Sequence, residues 1–441
     1  MGSWIEHAIW WHVYPLGFVG AEREAHAFDG VTHRFSHLTA WLDHVITLGA
    51  SGILLGPVFA SSTHGYDTVD YFRIDPRLGD DADLEAFVDA ARRRGLRIVL
   101  DGVFNHVGHE FPIFRRALAG GATSREARWF RLTWPSGDGS GGPPDYATFE
   151  GHRHLVKLNH DEPEVVDYVT RIMVHWLARG VSGWRLDAAY AVPAAFWRKV
   201  LPQVRAGYPD AYIFGEVIHG DYAGFVREAG LDSVTQYELW KAVWSSLNDR
   251  NLFELAWALK RHNGMLETFA PQTFIGNHDV TRIASQLQDE LHLAHALVIL
   301  MTVGGLPSVY AGDELGYRGV KEHRAGGDDA IRPLFPATPP DPQSCDRDTL
   351  RLHQQLVALR RRNPWLHRAR SKVLELQSTS LLFMVFHDEH RLWVVLNLAD
   401  AHITRVVDAS VNCIAGNSVA SRRGTTTEIA VPSHGWSILS E

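Results

Sequence analysis

From residue 9 to about residue 310, short apolar runs that end in polar residues alternate with longer amphipathic stretches. Continuous apolar runs of this length are typical of strands buried on both faces of a parallel sheet, and the stretches between them repeat at helical spacing. We predict eight strands, at 9–14, 52–55, 97–101, 183–187, 212–216, 233–237, 273–276 and 307–310. We predict eight helices, at 37–48, 84–94, 165–179, 194–208, 222–229, 252–262, 291–303 and 349–362.

Eight strand–helix units in roughly 360 residues fit a closed (β/α)8 barrel with insertions better than an open, doubly wound sheet. The first strand is also not followed by the glycine-rich turn that marks a dinucleotide-binding fold, which weakens the open-sheet alternative. The sequence therefore predicts an α/β protein built on a TIM barrel.

Two segments depart from this alternation. Between Asn105 and Asn159 the chain is rich in Gly, Pro, Asp and aromatic residues, which predicts a small lobe inserted after the third strand. From about residue 370 the apolar period falls towards two, as in an antiparallel β-sandwich. We expect a barrel of residues 1–104 and 160–369, a lobe of residues 105–159 and a sandwich of residues 370–441.

The composition excludes some partners. The 441 residues are 45% hydrophobic and 21% charged, as in globular proteins, and the net charge of −8 argues against nucleic acid or an anionic membrane as a partner. No window offers about 18 uninterrupted apolar residues, and the start lacks a basic and then apolar signal segment. We expect a cytoplasmic protein without a membrane span.

Polar side chains end four of the predicted strands, where a TIM barrel carries its chemistry. They are Asp101 on the third strand, Arg185 and Asp187 on the fourth, Glu216 on the fifth, and His278 with Asp279 on the seventh. A single such residue is more often a cap or a solvated group. Several carboxyl groups buried at one rim are costly unless chemistry requires them, so we predict an active site here.

These residues fit cleavage of a glycosidic bond. A retaining mechanism needs two carboxyl groups about 5–5.5 Å apart, one ionised as a nucleophile and one carrying a proton for the leaving oxygen. Arg185, two residues from Asp187, is expected to keep Asp187 ionised. Glu216 follows an apolar run and is the expected acid, while Asp279 is placed to bind sugar hydroxyls.

At these residues the sequence resembles the α-amylase superfamily, glycoside hydrolase family 13. The matching segments are 101–106 (Asp-Gly-Val-Phe-Asn-His), 183–187 (Gly-Trp-Arg-Leu-Asp), 215–217 (Gly-Glu-Val) and 277–279 (Asn-His-Asp), with flanking signatures at 64–71, 155–159 and 305–314. The order of the segments is the specific feature, because each is short. The resemblance covers nearly the whole chain and is nearest to cyclomaltodextrinases and neopullulanases.

The resemblance implies roles for nine residues. Catalysis is assigned to Asp187 as nucleophile, Glu216 as acid/base and Asp279 as the clamp on the transition state. Substrate binding is assigned to Tyr66, His106, Arg185, His278, Asp328 and Arg332. Arg332, with Asp328 nearby, would contact the next sugar outward; a structural salt bridge is the alternative.

Departures from the family pattern limit what is carried over. Tyr190 and Ala191 stand where many secreted relatives have a Lys-His pair that supports calcium, so we expect no tightly bound calcium there, no other metal and no cofactor. Ile218 replaces the Trp that cyclomaltodextrinases have after the acid. Those relatives also carry an N-terminal domain that helps them to dimerise; a homodimer is therefore left open here.

The resemblance implies an oligosaccharide substrate, namely a short or cyclic α-glucan such as a maltooligosaccharide, a cyclodextrin or cyclic maltosyl-maltose. An α-glucosidase or a glucosyl transferase or isomerase is the first alternative. A catalytically inactive binding protein is a remote one, since all three acids are present. The sequence leaves open linear or cyclic substrates, α-1,4 or α-1,6 bonds, and hydrolysis or transfer.

Overall fold

The computed structural model describes residues 4–25, 30–135, 142–324, 326–341 and 346–441. Its central sheet has eight parallel strands: β1 (Trp10–Val13), β2 (Gly52–Leu55), β3 (Arg97–Gly102), β4 (Gly183–Leu186), β5 (Tyr212–Gly215), β6 (Ser233–Val234), β7 (Gln272–Phe274) and β8 (Leu306–Tyr310). The order is β6-β5-β4-β3-β2-β1-β8-β7, and a parallel bridge from Thr235 to Gln272 joins the two ends. The predicted (β/α)8 barrel is confirmed.

Helices follow the strands around the barrel. They are α1 (Leu42–Leu48), α2 (Asp81–Arg93), α3 (Pro163–Leu177), α4 (Ala194–Gly207), α5 (Tyr222–Ala229), α6 (Tyr237–Asn248), α7 (Phe253–Leu266), α8 (Leu293–Thr302) and α9 (Arg347–Arg362). Further helices span Pro15–Phe18, Phe35–Thr39, Pro112–Gly120 and Ile283–Gln286. Within the described ranges, none of these helices combines the length and the apolar character that crossing a bilayer requires.

The sixth strand was predicted too long, and helix α6 was missed. The strand ends at Val234, and the Gln236 side chain accepts a hydrogen bond from the backbone N–H of Leu239, which caps the first turn of α6. The predicted helix at 37–48 is also wrong in detail, because it is two short helices, Phe35–Thr39 and Leu42–Leu48.

The barrel interior changes from apolar to polar along its axis. One buried cluster fills the lower part with side chains that include Trp10, Val99 and Phe214. Side chains two residues apart on a strand point to the same face. The next inward positions above these three are therefore His12, Asp101 and Glu216, all of them buried. The strands thus place polar groups together at their C-terminal ends.

Two antiparallel additions lie beside the site. The strands Phe59–Ser61 and Thr68–Ile74 pair, and the loop between them carries Tyr66. In the lobe, His106–Gly108, His152–Lys157 and Thr148–Phe149 form a three-stranded sheet, and Leu132–Thr133 pairs with Asp145–Tyr146.

The C-terminal region consists of two antiparallel sheets. Its strands are β9 (Arg370–Gln377), β10 (Ser380–His387), β11 (His390–Asn397), β12 (Ile403–Val407), β13 (Asn412–Gly416), β14 (Val419–Arg423), β15 (Thr426–Val431) and β16 (Trp436–Ser440). One sheet has the order β9-β10-β11-β16-β13 and the other β12-β15-β14. Leu381, Phe383 and Val385 of β10 pack in the cluster of the barrel helices, whereas Leu382 packs in the cluster shared with the second sheet. Alternate residues of one strand therefore serve both cores.

Candidate active site

The Arg185 side chain is the centre of the polar cluster. Its Nη1 donates to Asp101 Oδ2 at 2.6 Å and contacts Asp187 Oδ1 at 3.3 Å, and its Nη2 lies 2.9 Å from Glu216 Oε1. All four residues are buried. Since one planar guanidinium touches both carboxylates, Asp187 and Glu216 face a common space, as a shared sugar requires.

Glu216 is held at both of its oxygens. Its Oε1 accepts from the Tyr237 hydroxyl at 3.1 Å, and this hydroxyl in turn accepts from Asn277 Nδ2 at 3.0 Å. Its Oε2 accepts from the backbone N–H of Ala188 at 3.0 Å. The carboxyl group of Glu216 is therefore fixed in orientation by two neighbouring strand ends.

The turn after β4 directs the Asp187 side chain inward. Ala188 has φ +44°, a left-handed conformation that costs energy for a residue with a Cβ atom. The Asp187 backbone N–H still donates to the Gly102 carbonyl at 3.0 Å. Because of this sharp turn, the Asp187 side chain points into the site and the next backbone N–H, that of Ala188, donates to Glu216.

The charge state of Asp187 differs from the simple expectation. Burial and the neighbouring Glu216 carboxylate raise the pKa of Asp187 well above its ordinary value, and Arg185 only partly opposes them. Arg185 is closer to Asp101 and Glu216 than to Asp187. The site therefore favours a proton on Asp187, and not a permanently ionised Asp187.

The pKa of Asp279 is shifted in the opposite direction from that of Asp187. Although burial disfavours its charge, His278 and Arg332 hold the pKa of Asp279 well below its usual range. His278 Nε2 lies 3.0 Å from Asp279 Oδ2, and Arg332 Nη2 donates to Asp279 Oδ1 at 2.9 Å. Asp279 is therefore an ionised acceptor at neutral pH, suited to bind sugar hydroxyls.

Arg332 is engaged within the protein. Besides Asp279 it contacts Asp328 Oδ2 at 3.0 Å, donates to the His278 carbonyl at 2.8 Å and lies over the ring of Tyr14 at 4.6 Å from its centroid. These contacts favour the salt-bridge alternative over an arm reaching to the next sugar. The Asp329 side chain pairs with Arg23.

Tyr66 connects Asp101, His278 and His106. The Tyr66 hydroxyl donates to Asp101 Oδ2 at 3.2 Å and is hydrogen-bonded to His278 Nε2, with the two rings parallel. His106 Nε2 lies 3.1 Å from the Tyr66 carbonyl, and burial lowers the pKa of His106 to about 3, so that the ring is neutral. All nine predicted site residues thus lie in one connected network of contacts.

Sequence reasoning missed one member of this network and gave another no role. Asp101 is placed at the rim by its position near the end of β3, but no catalytic or binding role is assigned to it from the sequence. Tyr237 could not be found, because residues 233–237 were taken as a strand and nothing in the sequence places its hydroxyl on Glu216. Tyr190 also gains a contact, since its hydroxyl donates to Glu150 of the lobe at 3.1 Å.

Replacing Asp187 with Asn is expected to raise the melting temperature at pH 7 by a few degrees. An unfolded Asp ionises near pH 3.9, whereas folded Asp187 keeps its proton to higher pH, so its ionisation costs stability as the pH rises between these values. Asn carries no such cost. Calorimetry should show a gain at pH 7 that disappears near pH 3.5.

Asp279→Asn is the matched control, and its melting temperature is expected to change in the opposite direction. Its carboxylate has a lowered pKa and stabilises the folded state above the pKa of the unfolded chain, so the variant is expected to melt lower than wild type at pH 7. A lower melting temperature for Asp187→Asn at pH 7 would contradict a protonated Asp187.

Comparison with known proteins agrees with this geometry. The family model described as the α-amylase catalytic domain matches residues 13–351. A cyclomaltodextrinase of Geobacillus thermopakistaniensis (strain MAS1) is 29% identical, over 98% of this chain and 77% of the relative. The native debranching enzyme of Nostoc punctiforme superposes with a TM-score of 0.84 at 25% identity, and all of both chains is covered. The ligand-free cyclic α-maltosyl-(1→6)-maltose hydrolase of Arthrobacter globiformis, with a TM-score of 0.82 and 24% identity over all of both chains, shows the same fold.

Proposed function

The chain belongs to the α-amylase family of glycoside hydrolases, and from this premise we propose that it cleaves short or cyclic α-glucans with retention, using Asp187 as nucleophile and Glu216 as acid/base. The observation that carries the proposal is the Arg185 guanidinium, which contacts both carboxylates at the open end of the barrel. Glycoside hydrolases use such a pair of carboxyl groups facing one space, and retention requires them to be about 5–5.5 Å apart.

The first step forms a covalent intermediate. With a sugar in the site, Asp187 gives up its proton and Glu216 carries the proton that the reaction needs. Glu216 then donates this proton to the glycosidic oxygen while an Asp187 oxygen attacks the anomeric carbon, so that the C–O bond to the leaving sugar breaks. Arg185 offsets the negative charge that remains on the cluster.

The second step reverses these roles. The Glu216 carboxylate takes a proton from water, the water oxygen attacks the anomeric carbon, and the bond to Asp187 breaks. Two inversions at one carbon give net retention. The proton is back on Glu216 at the end, so the site returns to its starting charge.

The remaining predicted residues bind the sugar in this proposal. Asp279, ionised and held by His278 and Arg332, accepts hydrogen bonds from two ring hydroxyls as the sugar flattens towards the transition state. Tyr66 and His106 form the wall beside the same ring. Arg332 and Asp328 act by positioning Asp279, because their charged groups are already paired.

The names of similar proteins support the substrate class. One relative is a cyclomaltodextrinase, and two structures with the same fold are a debranching enzyme and a cyclic maltosyl-maltose hydrolase. The test is a product profile on maltose, maltotriose, cyclodextrins, cyclic maltosyl-maltose, panose and sucrose. With soluble starch added to this panel for comparison, we expect maltotriose or a ring substrate to be hydrolysed faster than starch. Release of single glucose units from every substrate would favour the α-glucosidase, and formation of products longer than the substrate would favour a transferase. If no α-glucan were cleaved, the proposal would be contradicted.

The proposal includes the domain division and the surroundings of the enzyme. The barrel is residues 1–104 and 160–369, the lobe 105–159 and the sandwich 370–441, with the site between barrel and lobe. We retain the expected cytoplasmic location, which cell fractionation tests. We keep a homodimer as an alternative to a monomer, which sedimentation distinguishes, and we propose that hydrolysis needs neither cofactor nor calcium.

A further inference from the structure

Three side chains outside the active-site network converge where the barrel meets the C-terminal sheets. They are Asp289 and His292, in the turn that leads into α8, and His434, in the loop before β16. His292 is buried, and the other two are partly buried. The loop and the turn are 142 residues apart in sequence, so no motif revealed this cluster.

The donor atoms have the spacing of metal ligands. His292 Nε2 and His434 Nδ1 lie 3.0 Å apart, and Asp289 Oδ2 lies 3.9 Å from the first and 3.7 Å from the second. The point in their plane that is equally distant from all three is about 2.1 Å from each, within the range of about 2.0–2.2 Å for Zn–N and Zn–O bonds. Two imidazoles and a carboxylate are a ligand set that zinc favours.

Surrounding groups orient each ligand. His434 Nε2 lies 2.9 Å from Asp400 Oδ1, so this carboxylate takes the ring N–H and leaves Nδ1 with its lone pair facing His292. The His292 ring is also hydrogen-bonded to the backbone of Leu247. Asp289 Oδ1 accepts from the backbone N–H of Leu291, which turns Oδ2 towards the histidines. Outer partners of this kind accompany metal-binding histidines.

Charge and backbone geometry agree with a cation at this place. Two carboxylates, Asp289 and Asp400, lie at this place, and among the described residues Arg250 pairs with Asp400 at 3.1 Å while no Lys or Arg pairs with Asp289. His434 is held at φ +50°, a strained conformation for a side chain of its size.

We propose that Asp289, His292 and His434 bind a zinc-class divalent cation that fastens α8 of the barrel to the C-terminal sheet. The proposal departs from the sequence prediction of no metal ligands. It is independent of the proposed hydrolytic function, because the cation would stabilise the joint between two domains and take no part in the cleavage.

The test is titration of the metal-stripped full-length protein with Zn²⁺ alone, followed by calorimetry, and with Co²⁺, followed by its visible absorption. We expect one site in the wild type and a higher melting temperature when the metal is added. His434→Asn is the key variant, because Asn tolerates the left-handed backbone but removes the imidazole. We expect it to weaken binding by about 100-fold or more, since even outer partners of a ligand contribute 10- to 100-fold.

Two further variants make the result decisive. Asp289→Asn keeps the cap on Leu291 but removes the charge, and it is expected to weaken binding. His33→Ala removes a histidine from an exposed group with Asp80 and Asp83 and is expected to leave the affinity unchanged. The proposal would be overturned if wild type and His434→Asn bound zinc with equal affinity, or if wild type bound no zinc. The His292–His434 contact would then be a hydrogen bond between two imidazoles.

Discussion

Asp187→Asn is expected to lower kcat by on the order of 10⁴-fold or more, the scale seen when a hydrolase loses its nucleophile. An amide cannot form the glycosyl ester, and water attacking directly would lack the position that Asp187 has at the end of β4. The loss should be seen with every substrate, including activated aryl α-glucosides, because the nucleophile is needed whatever the leaving group. Steady-state rates measure it.

The same variant is expected to be more stable than wild type at pH 7, so its loss of activity cannot be explained by unfolding. Asp388→Asn is a matched control, since this side chain is exposed in a turn of the C-terminal sheets, and its activity should be unchanged. Retention of even a tenth of the wild-type kcat by Asp187→Asn would rule it out as the nucleophile.

Glu216→Gln is expected to lower the rate by about 10²- to 10⁴-fold on maltooligosaccharides, the range for loss of a general acid. The defect should depend on the leaving group, because fluoride needs no proton to depart. With α-glucosyl fluoride the variant should release one fluoride per enzyme in a rapid burst. Slow turnover should follow, because no base activates water in the second step.

This pattern separates an acid/base from a residue that only shapes the site. Glu389→Gln, in an exposed turn, is the control and should behave as wild type. If Glu216→Gln were impaired equally on maltotriose and on glucosyl fluoride, Glu216 would not be the proton donor.

Most of the barrel could be predicted from local pattern. The strand at 52–55 and the helix at 222–229 were predicted with the bounds that the structure has, because each is a continuous apolar run or an amphipathic stretch with clear ends. Helix α6 was missed because Thr235 and Gln236 continue the run beyond Val234, while the cap from Gln236 to Leu239 is a contact that periodicity does not encode.

The site was predictable where strand position decides it, and not where packing between loops does. Asp101, Arg185 and Glu216 follow from inward positions on neighbouring strands. The hydroxyl of Tyr237 on Glu216 and the closure of Arg332 onto Asp279 depend on how separate segments fold against each other. The charge of Asp187 was also beyond the sequence, because it depends on burial and on the approach of Glu216.

The most direct test of the double-carboxylate mechanism is the configuration of the first product. Proton NMR in the first minutes of maltotriose cleavage, before the anomers equilibrate, distinguishes the two forms of the newly released reducing end. A covalent sugar on Asp187 predicts that the α anomer appears first. If the β anomer appears first, one displacement by water has occurred, and neither Asp187 as nucleophile nor the two-step reaction can be correct.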